Sequence, residues 1–142
     1  MNIPNLRSCH DTVGGIVYFG RMLDKIRLHA QGKLPADYQA NLGQGFDGRC
    51  CSFLRVSYDN LIARVKQGGI DDEILQWCFA EGRRPTDEEI EVWNHYMRKR
   101  GWRDDASKRL AERLKESGLS HRTDIQTFFD YIDADEGREL RT

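Results

Sequence analysis

Three absences narrow the kinds of protein that this sequence can encode. No apolar run approaches the roughly 20 residues that a membrane-spanning helix needs, and residues 1–11 lack the apolar segment of a secretory signal. The four cysteines do not have the spacing of a disulfide scaffold. A net charge of −1 gives no overall attraction to nucleic acid or to anionic membranes. We therefore expect a cytoplasmic protein with no membrane partner.

The sequence also lacks the motifs of common enzymes and cofactor sites. It has no G-x-S-x-G elbow, and the glycine-rich loop at residues 43–48 has neither the spacing nor the lysine of a phosphate-binding loop. The cysteines and histidines do not show the paired spacing of a structural zinc site. We expect no bound metal and no cofactor, and the sequence leaves open whether the protein is an enzyme.

Glycine, by contrast, is plentiful, with 13 residues against three prolines, which favours short helices that end at glycines. The longest amphipathic segment covers residues 14–31, where most apolar side chains fall on one face at 100° per residue. We predict that this segment is the central helix of an all-α fold. The expected architecture is a single-domain irregular bundle of about six to seven helices.

Local signals place the other helices. Thr86 and Glu89 form a capping box, which predicts a helix that begins beside them. Residues 50–56 are too short for periodicity to distinguish a strand from a helix, and we interpret them as helical. The last helix is expected to begin at Thr123 or Asp124. We predict one domain over residues 1–142, with sub-lobes at 1–80 and 85–135 as the alternative, and a frayed tail at 136–142.

The predicted central helix carries a compact charged cluster of three positive side chains and one negative. Arg27 lies at the edge of the apolar face, where an unpaired charge is costly. Asp24 lies three residues from both Arg27 and Arg21, a spacing at which helix side chains meet. The four members of the cluster are Arg21, Asp24, Lys25 and Arg27.

This cluster has two interpretations, which the sequence does not separate. One is an ordinary ion-pair network that joins the helix to its neighbours. The other is an anion site, in which Arg21, Lys25 and Arg27 hold a phosphate or carboxylate and Asp24 orients the arginines. In that case, His10 and Arg7 contribute from the preceding segment. Our leading hypothesis is a binding module for a small anionic ligand.

Two further function classes remain open. The charged C-terminal helices are typical of a protein-interaction surface, and the chain is expected to be a monomer or a homo-oligomer. Alternatively, an enzyme uses the same cluster as an anion clamp. Residues 98–103 interleave basic and aromatic side chains, as in nucleic-acid binding, but the acidic residues around them lead us not to expect a nucleic-acid partner.

Several short stretches of the sequence resemble those of a known family. They are Leu6-Arg7-Ser8, Gly14-Gly15, the central-helix residues Arg21, Met22, Asp24, Lys25 and Arg27, and the later residues Asp72, Glu73, Leu75, Trp77, Ile90, Trp93 and Asn94. Together they resemble a bacterial family described as domain of unknown function 5069. The resemblance covers most of residues 5–100, and it suggests that the helices from Asp104 onward are an extension found in a subgroup. It implies a small bacterial cytoplasmic protein and no particular activity.

Overall fold

The computed structural model describes residues 2–141 of the chain, and these residues are mostly helical. They form eight helices and one two-stranded sheet, so the predicted all-α class is confirmed, with more helices than expected. The elements are β1 (Thr12–Val13), β2 (Ile16–Val17), α1 (Phe19–Ala30), α2 (Ala36–Gln39), α3 (Phe46–Leu54), α4 (Tyr58–Lys66), α5 (Asp71–Glu81), α6 (Asp87–Lys99), α7 (Ser107–Glu116) and α8 (Phe128–Asp135).

The central helix begins at Phe19, so the prediction that it begins at Gly14 is wrong. The preceding residues form an antiparallel hairpin in which Val13 pairs with Ile16. Gly14 and Gly15 form its turn with φ of 57° and 78°. Two consecutive positive φ angles are what a tight two-residue hairpin turn requires, and glycine adopts them without steric cost. The glycine pair is therefore a turn signal and not a helix start.

The hydrophobic core surrounds α1. Phe19, Met22 and Leu23 are fully buried, and the apolar cluster around them includes residues from Cys9 to Phe129. Residues of both proposed sub-lobes thus belong to one apolar cluster. Because this contact alone does not define domains, the division of the chain stays a prediction.

Two local predictions are confirmed and one is wrong. Thr86 and Glu89 cap α6 reciprocally, and the predicted helix over residues 50–56 is confirmed from Cys50 to Leu54, within α3, but not for Arg55 and Val56, because α3 ends at Leu54. The last helix, however, begins at Phe128, because the Thr127 hydroxyl accepts the backbone N–H of Asp130 and caps the helix there. None of the helices in residues 2–141 is long and apolar enough to cross a membrane.

The C-terminal segment is packed against the fold, so the predicted fraying is wrong for Glu136 and Arg138. Glu136 is only 3% exposed, and the Arg138 guanidinium donates to the backbone carbonyl of Leu6. These side chains are polar, but buried partners elsewhere in the chain hold them in place. Thr142, at the end of the predicted tail, lies outside the described residues.

Candidate anion-binding cleft

The charged side chains of α1 point in two directions, so the predicted cluster does not form one site. Arg21 and Lys25 face a cleft toward the C-terminal helices. Asp24 and Arg27 instead interact with the N-terminal segment and with the start of α5.

The second group is an ion-pair network that includes Arg7. Arg7 donates from Nε to Asp24 at 2.9 Å and from Nη1 to Asp71 at 2.8 Å, and Arg27 donates to the other oxygen of Asp71 at 2.7 Å. Asp24 also accepts the backbone N–H of Arg7 at 2.9 Å. The expectation that Asp24 orients Arg21 and Arg27 is therefore wrong. Its carboxylate accepts hydrogen bonds from both the backbone N–H and the guanidinium of Arg7.

This network neutralises its own charges. Burial disfavours the charged Asp71 carboxyl, but the hydrogen bonds from Arg27 and Arg7 prevail and hold its pKa below the usual range. Two arginines and two carboxylates balance here, which fits the structural interpretation for this half of the cluster.

On the cleft side, Arg21 forms a buried ion pair with Glu136. Its two terminal nitrogens donate to the two carboxylate oxygens at 2.8 and 2.7 Å. Arg21 also donates to the backbone carbonyl of Arg7 at 3.0 Å. Burial opposes the charge on Glu136, yet the bonds from Arg21, Arg138 and Tyr38 lower its pKa to about 2. Sequence reasoning missed Glu136, because a contact across 115 positions leaves no local pattern.

Lys25 lies in a buried polar group with Tyr18 and Asp47. Its Nζ is 2.9 Å from the Tyr18 hydroxyl and 2.8 Å from Asp47 Oδ1, and the Tyr18 hydroxyl donates to that same oxygen at 2.6 Å. Burial and the nearby Asp47 carboxylate raise the pKa of Tyr18, so its hydroxyl stays protonated. An ammonium has three N–H groups, and Lys25 has only these two polar partners among residues 2–141. One N–H of Lys25 is thus left for another acceptor.

Tyr18 has a backbone conformation that is uncommon for a non-glycine residue. Its φ of 73° lies in the left-handed region, at the junction between the hairpin and α1. Such residues cost free energy and persist where the surrounding structure fixes them. Here the hydroxyl bonds to Asp47 and Lys25 fix the side chain against the wall of the cleft.

Around these groups is a concave space of about 510 Å³, which we call the basic cleft. It lies between α1, the segment from α2 to α3, and helices α7 and α8. Ligand pockets for small molecules commonly have volumes of about 300–1,000 Å³. The cationic side chains that line it are Arg21, Lys25, Arg49, Arg100, Arg109 and Arg113. The carboxylates are Asp37, Asp135 and Glu136, and the aromatic walls are Tyr18, Tyr38, Phe46, Phe128 and Tyr131.

The arginines at the mouth of the basic cleft differ in how they are paired. Arg109 and Arg113 form surface ion pairs with Glu112 and Glu116 at 3.4 and 3.2 Å, and such exposed pairs are weak. Arg49 has no carboxylate within ion-pair distance in the described part of the chain, and its guanidinium lies over the Tyr96 ring at 5.8 Å. Arg49 is therefore free to bind an anion.

Two kinds of side chain lie outside the basic cleft: His10, which the sequence predicts as a ligand contact, and the four cysteines, whose thiols are reactive groups. His10 contacts Phe129 edge-on at 5.0 Å, and its Nε2 is 3.9 Å from the buried Asp133 carboxylate, too far for a hydrogen bond. Burial lowers the pKa of His10. The four cysteines are all free and buried, and burial raises the thiol pKa of Cys9 to about 11. A thiol with so high a pKa is a poor nucleophile at neutral pH.

A second and larger concavity of about 960 Å³ lies on the outer side of α3 and α6. It is a wide groove open to solvent, in which the Phe53 ring stacks on the Trp93 ring with the two ring centroids 4.7 Å apart. Its arginines are Arg83, which is already paired with Glu89 at 2.7 Å, and Arg49, which also lines the basic cleft. The smaller basic cleft has more cationic side chains, so it is the better candidate for a small charged ligand.

A comparison with models of protein families matches nearly the whole of the described chain. The family model described as a domain of unknown function (DUF5069) matches residues 3–138. The expectation that the helices after Asp104 lie outside the family match is therefore wrong. No protein of curated function matches the chain. Because the matched region includes nearly every residue that the structure describes, the chain belongs to the DUF5069 family.

Proposed function

We propose that this protein binds a small organic anion, carrying a phosphate or a carboxylate, in the basic cleft. One observation carries the proposal: six cationic side chains and three carboxylates line the same concavity, together with aromatic walls. Arginine forks bind oxyanions in a bidentate manner, while aromatic rings provide apolar contact area for the rest of a ligand. Five of these six cations are paired with carboxylates in the described part of the chain, and the sixth, Arg49, favours an anion over a cation or a neutral ligand.

The proposal narrows the set of binding residues that the sequence predicts. Arg21 and Lys25 line the basic cleft, whereas Arg7, Asp24, Arg27 and His10 do not. We assign ligand contact to Lys25, through its remaining N–H, and to Arg49. The four residues outside the cleft are assigned to the stability of α1 and of the N-terminal segment.

A purely structural ion-pair network is the competing explanation. It accounts well for Arg7, Asp24, Arg27 and Asp71, whose charges balance. It does not account for Arg49, an exposed arginine at the cleft without a carboxylate partner among residues 2–141. Arg49 is therefore the residue whose substitution separates the two explanations.

The test is a thermal-shift titration of the wild-type protein with inorganic phosphate, phenyl phosphate and benzoate. A ligand that binds the folded state stabilises it by RT ln(1 + L/Kd), where L is the free ligand concentration, so the melting temperature rises with ligand concentration. We expect at least one of the three anions to stabilise the wild type. Arg49→Gln should need about tenfold more of that anion for the same stabilisation, a typical loss for one charged contact.

Arg98→Gln is the matched control, because Arg98 is an exposed arginine on α6 that does not line the basic cleft. It should leave the titration unchanged. If all three anions affect wild type, Arg49→Gln and Arg98→Gln equally, the proposed function is wrong.

The remaining sequence-based expectations belong to this proposal. They are bacterial origin, a cytoplasmic location, and a monomeric or homo-oligomeric state. The protein-interaction surface on the C-terminal helices stays an alternative. The enzyme alternative would need a base or nucleophile in the basic cleft, and the Tyr18 hydroxyl does not supply a base there, because its raised pKa keeps it protonated.

A further inference from the structure

The Glu136 carboxylate occupies a complete oxyanion site made by other parts of the chain. The Arg21 guanidinium binds both of its oxygens from α1. The Tyr38 hydroxyl donates to Oε2 at 2.7 Å from the end of α2. Arg138 donates to Oε1 from the same C-terminal segment. This is the set of donors that recognises a free carboxylate in a ligand site: an arginine fork and a hydroxyl group.

The location of this pair favours a binding role. Arg21, Tyr38 and Glu136 all line the basic cleft, so the pair is part of its wall. Glu136 is the C-cap residue of α8, directly after the last helical residue, Asp135. A side chain at a helix end can leave its partners without breaking the hydrogen bonds inside the helix.

The energetics also point away from a purely stabilising role. Both side chains are nearly fully buried, at 5% and 2% exposure, and a buried ion pair gains little over well-packed apolar residues once desolvation is counted. Removing only the carboxylate, however, leaves a buried arginine that strongly favours any replacement anion. The site therefore needs some carboxylate, but not necessarily that of Glu136.

We propose that Glu136 is an internal substitute for the carboxylate of the ligand, and that a small organic carboxylate displaces it to bind Arg21 and Tyr38. This inference rests on the proposed function and specifies its ligand class. Arg138 moves away with Glu136 when the ligand binds, since the two residues are neighbours in one segment. The apolar part of the ligand then contacts the aromatic walls of the cleft.

Displacement occurs by competition and not by protonation. The pKa of Glu136 is lowered to about 2, so its carboxylate stays charged at neutral pH. The ligand and Glu136 compete for the same donors, and the measured affinity of the wild type includes the cost of removing Glu136. A variant without that charge should bind the ligand more tightly.

The experiment compares benzoate binding by wild type, Glu136→Gln and Glu139→Gln in calorimetric titrations. Glutamine keeps the volume and one acceptor oxygen of Glu136 but removes the competing charge. We expect Glu136→Gln to bind benzoate about tenfold more tightly than wild type, within the range of ordinary coupling between sites. Glu139→Gln removes an exposed charge from the same segment and should match wild type.

A second measurement on the wild type covers the case in which Glu136→Gln does not fold. Trypsin cleaves after Arg138, which is held by Leu6 and Glu136 in this structure. Saturating benzoate should accelerate that cleavage, because it releases the segment. A simple stabilising ligand would slow it.

The outcomes separate this inference from the proposed function. If wild type and Glu136→Gln bind benzoate equally well, or if benzoate slows cleavage at Arg138, the inference is wrong and the proposed function stands. If neither protein binds benzoate, phenyl phosphate or phosphate, both are wrong. If Glu136→Gln gains affinity for phosphate but not for benzoate, the assignment to carboxylates is overturned.

Discussion

At the scale of single residues, each buried cation on α1 has a carboxylate partner that is distant in the sequence. Arg21 pairs with Glu136 and Lys25 with Asp47, both almost completely buried. The sequence identifies the charged residues of α1 that need partners, because a charge near an apolar face cannot stay unpaired. It does not identify the partners, because a carboxylate 115 residues away looks like any other acidic side chain in a polar tail.

The Arg21–Glu136 pair predicts a loss of stability in acid. The carboxyl pKa of Glu136 is about 2 in the folded state, against 4.5 for an ordinary glutamate. Since the folded pKa is the lower one, this group stabilises the fold fully above about pH 4.5. Its contribution is lost as the pH falls toward 2. Urea unfolding at pH 6, 4 and 3 should show the free energy of unfolding decreasing over this range.

Glu136→Gln provides the comparison, because it has no carboxyl group at this position. Its free energy of unfolding should decrease less steeply with acid than that of the wild type. Identical pH dependence in the two proteins would mean that Glu136 has an ordinary pKa and is not held by Arg21.

At the scale of elements, the two strands and the start of α1 depend on Gly14 and Gly15. The amphipathic pattern of residues 14–31 predicts a helix correctly from Phe19 onward. It fails before that point, because Ile16 and Val17 belong to the second strand of the hairpin. Their apolar side chains are buried there, and over so few residues periodicity does not distinguish a buried strand from a helix. The turn chemistry of the glycine pair was the better signal.

The two glycines predict a ranked pair of substitutions. Both have positive φ angles, so alanine at either position is strained by about 1–2 kcal/mol. At Gly15 an added Cβ meets nothing within 4 Å, whereas at Gly14 it would lie 2.4 Å from Cδ2 of Leu75. Gly14→Ala should therefore destabilise the protein more than Gly15→Ala in urea unfolding. The reverse order would contradict the packing of this hairpin against α5.

At the scale of the whole molecule, the basic cleft requires nearly the entire chain. Its walls come from α1, from the segment between α2 and α3, and from α7 and α8, and the family match likewise extends to residue 138. The sequence predicts the fold class and two cleft residues, Arg21 and Lys25. It does not predict the cleft itself, because the arginines of α7 and the aromatic residues of α8 reach it only through tertiary packing.

The most direct test of the account is a crystal structure of the wild-type protein soaked with phenyl phosphate. The account predicts that the anion lies in the basic cleft, with its oxygens within hydrogen-bond distance of Lys25, which lines only this cleft, and its ring among the aromatic walls. Phenyl phosphate bound only in the open groove beside Val92, or a cleft that stays empty at saturating concentration, would contradict it.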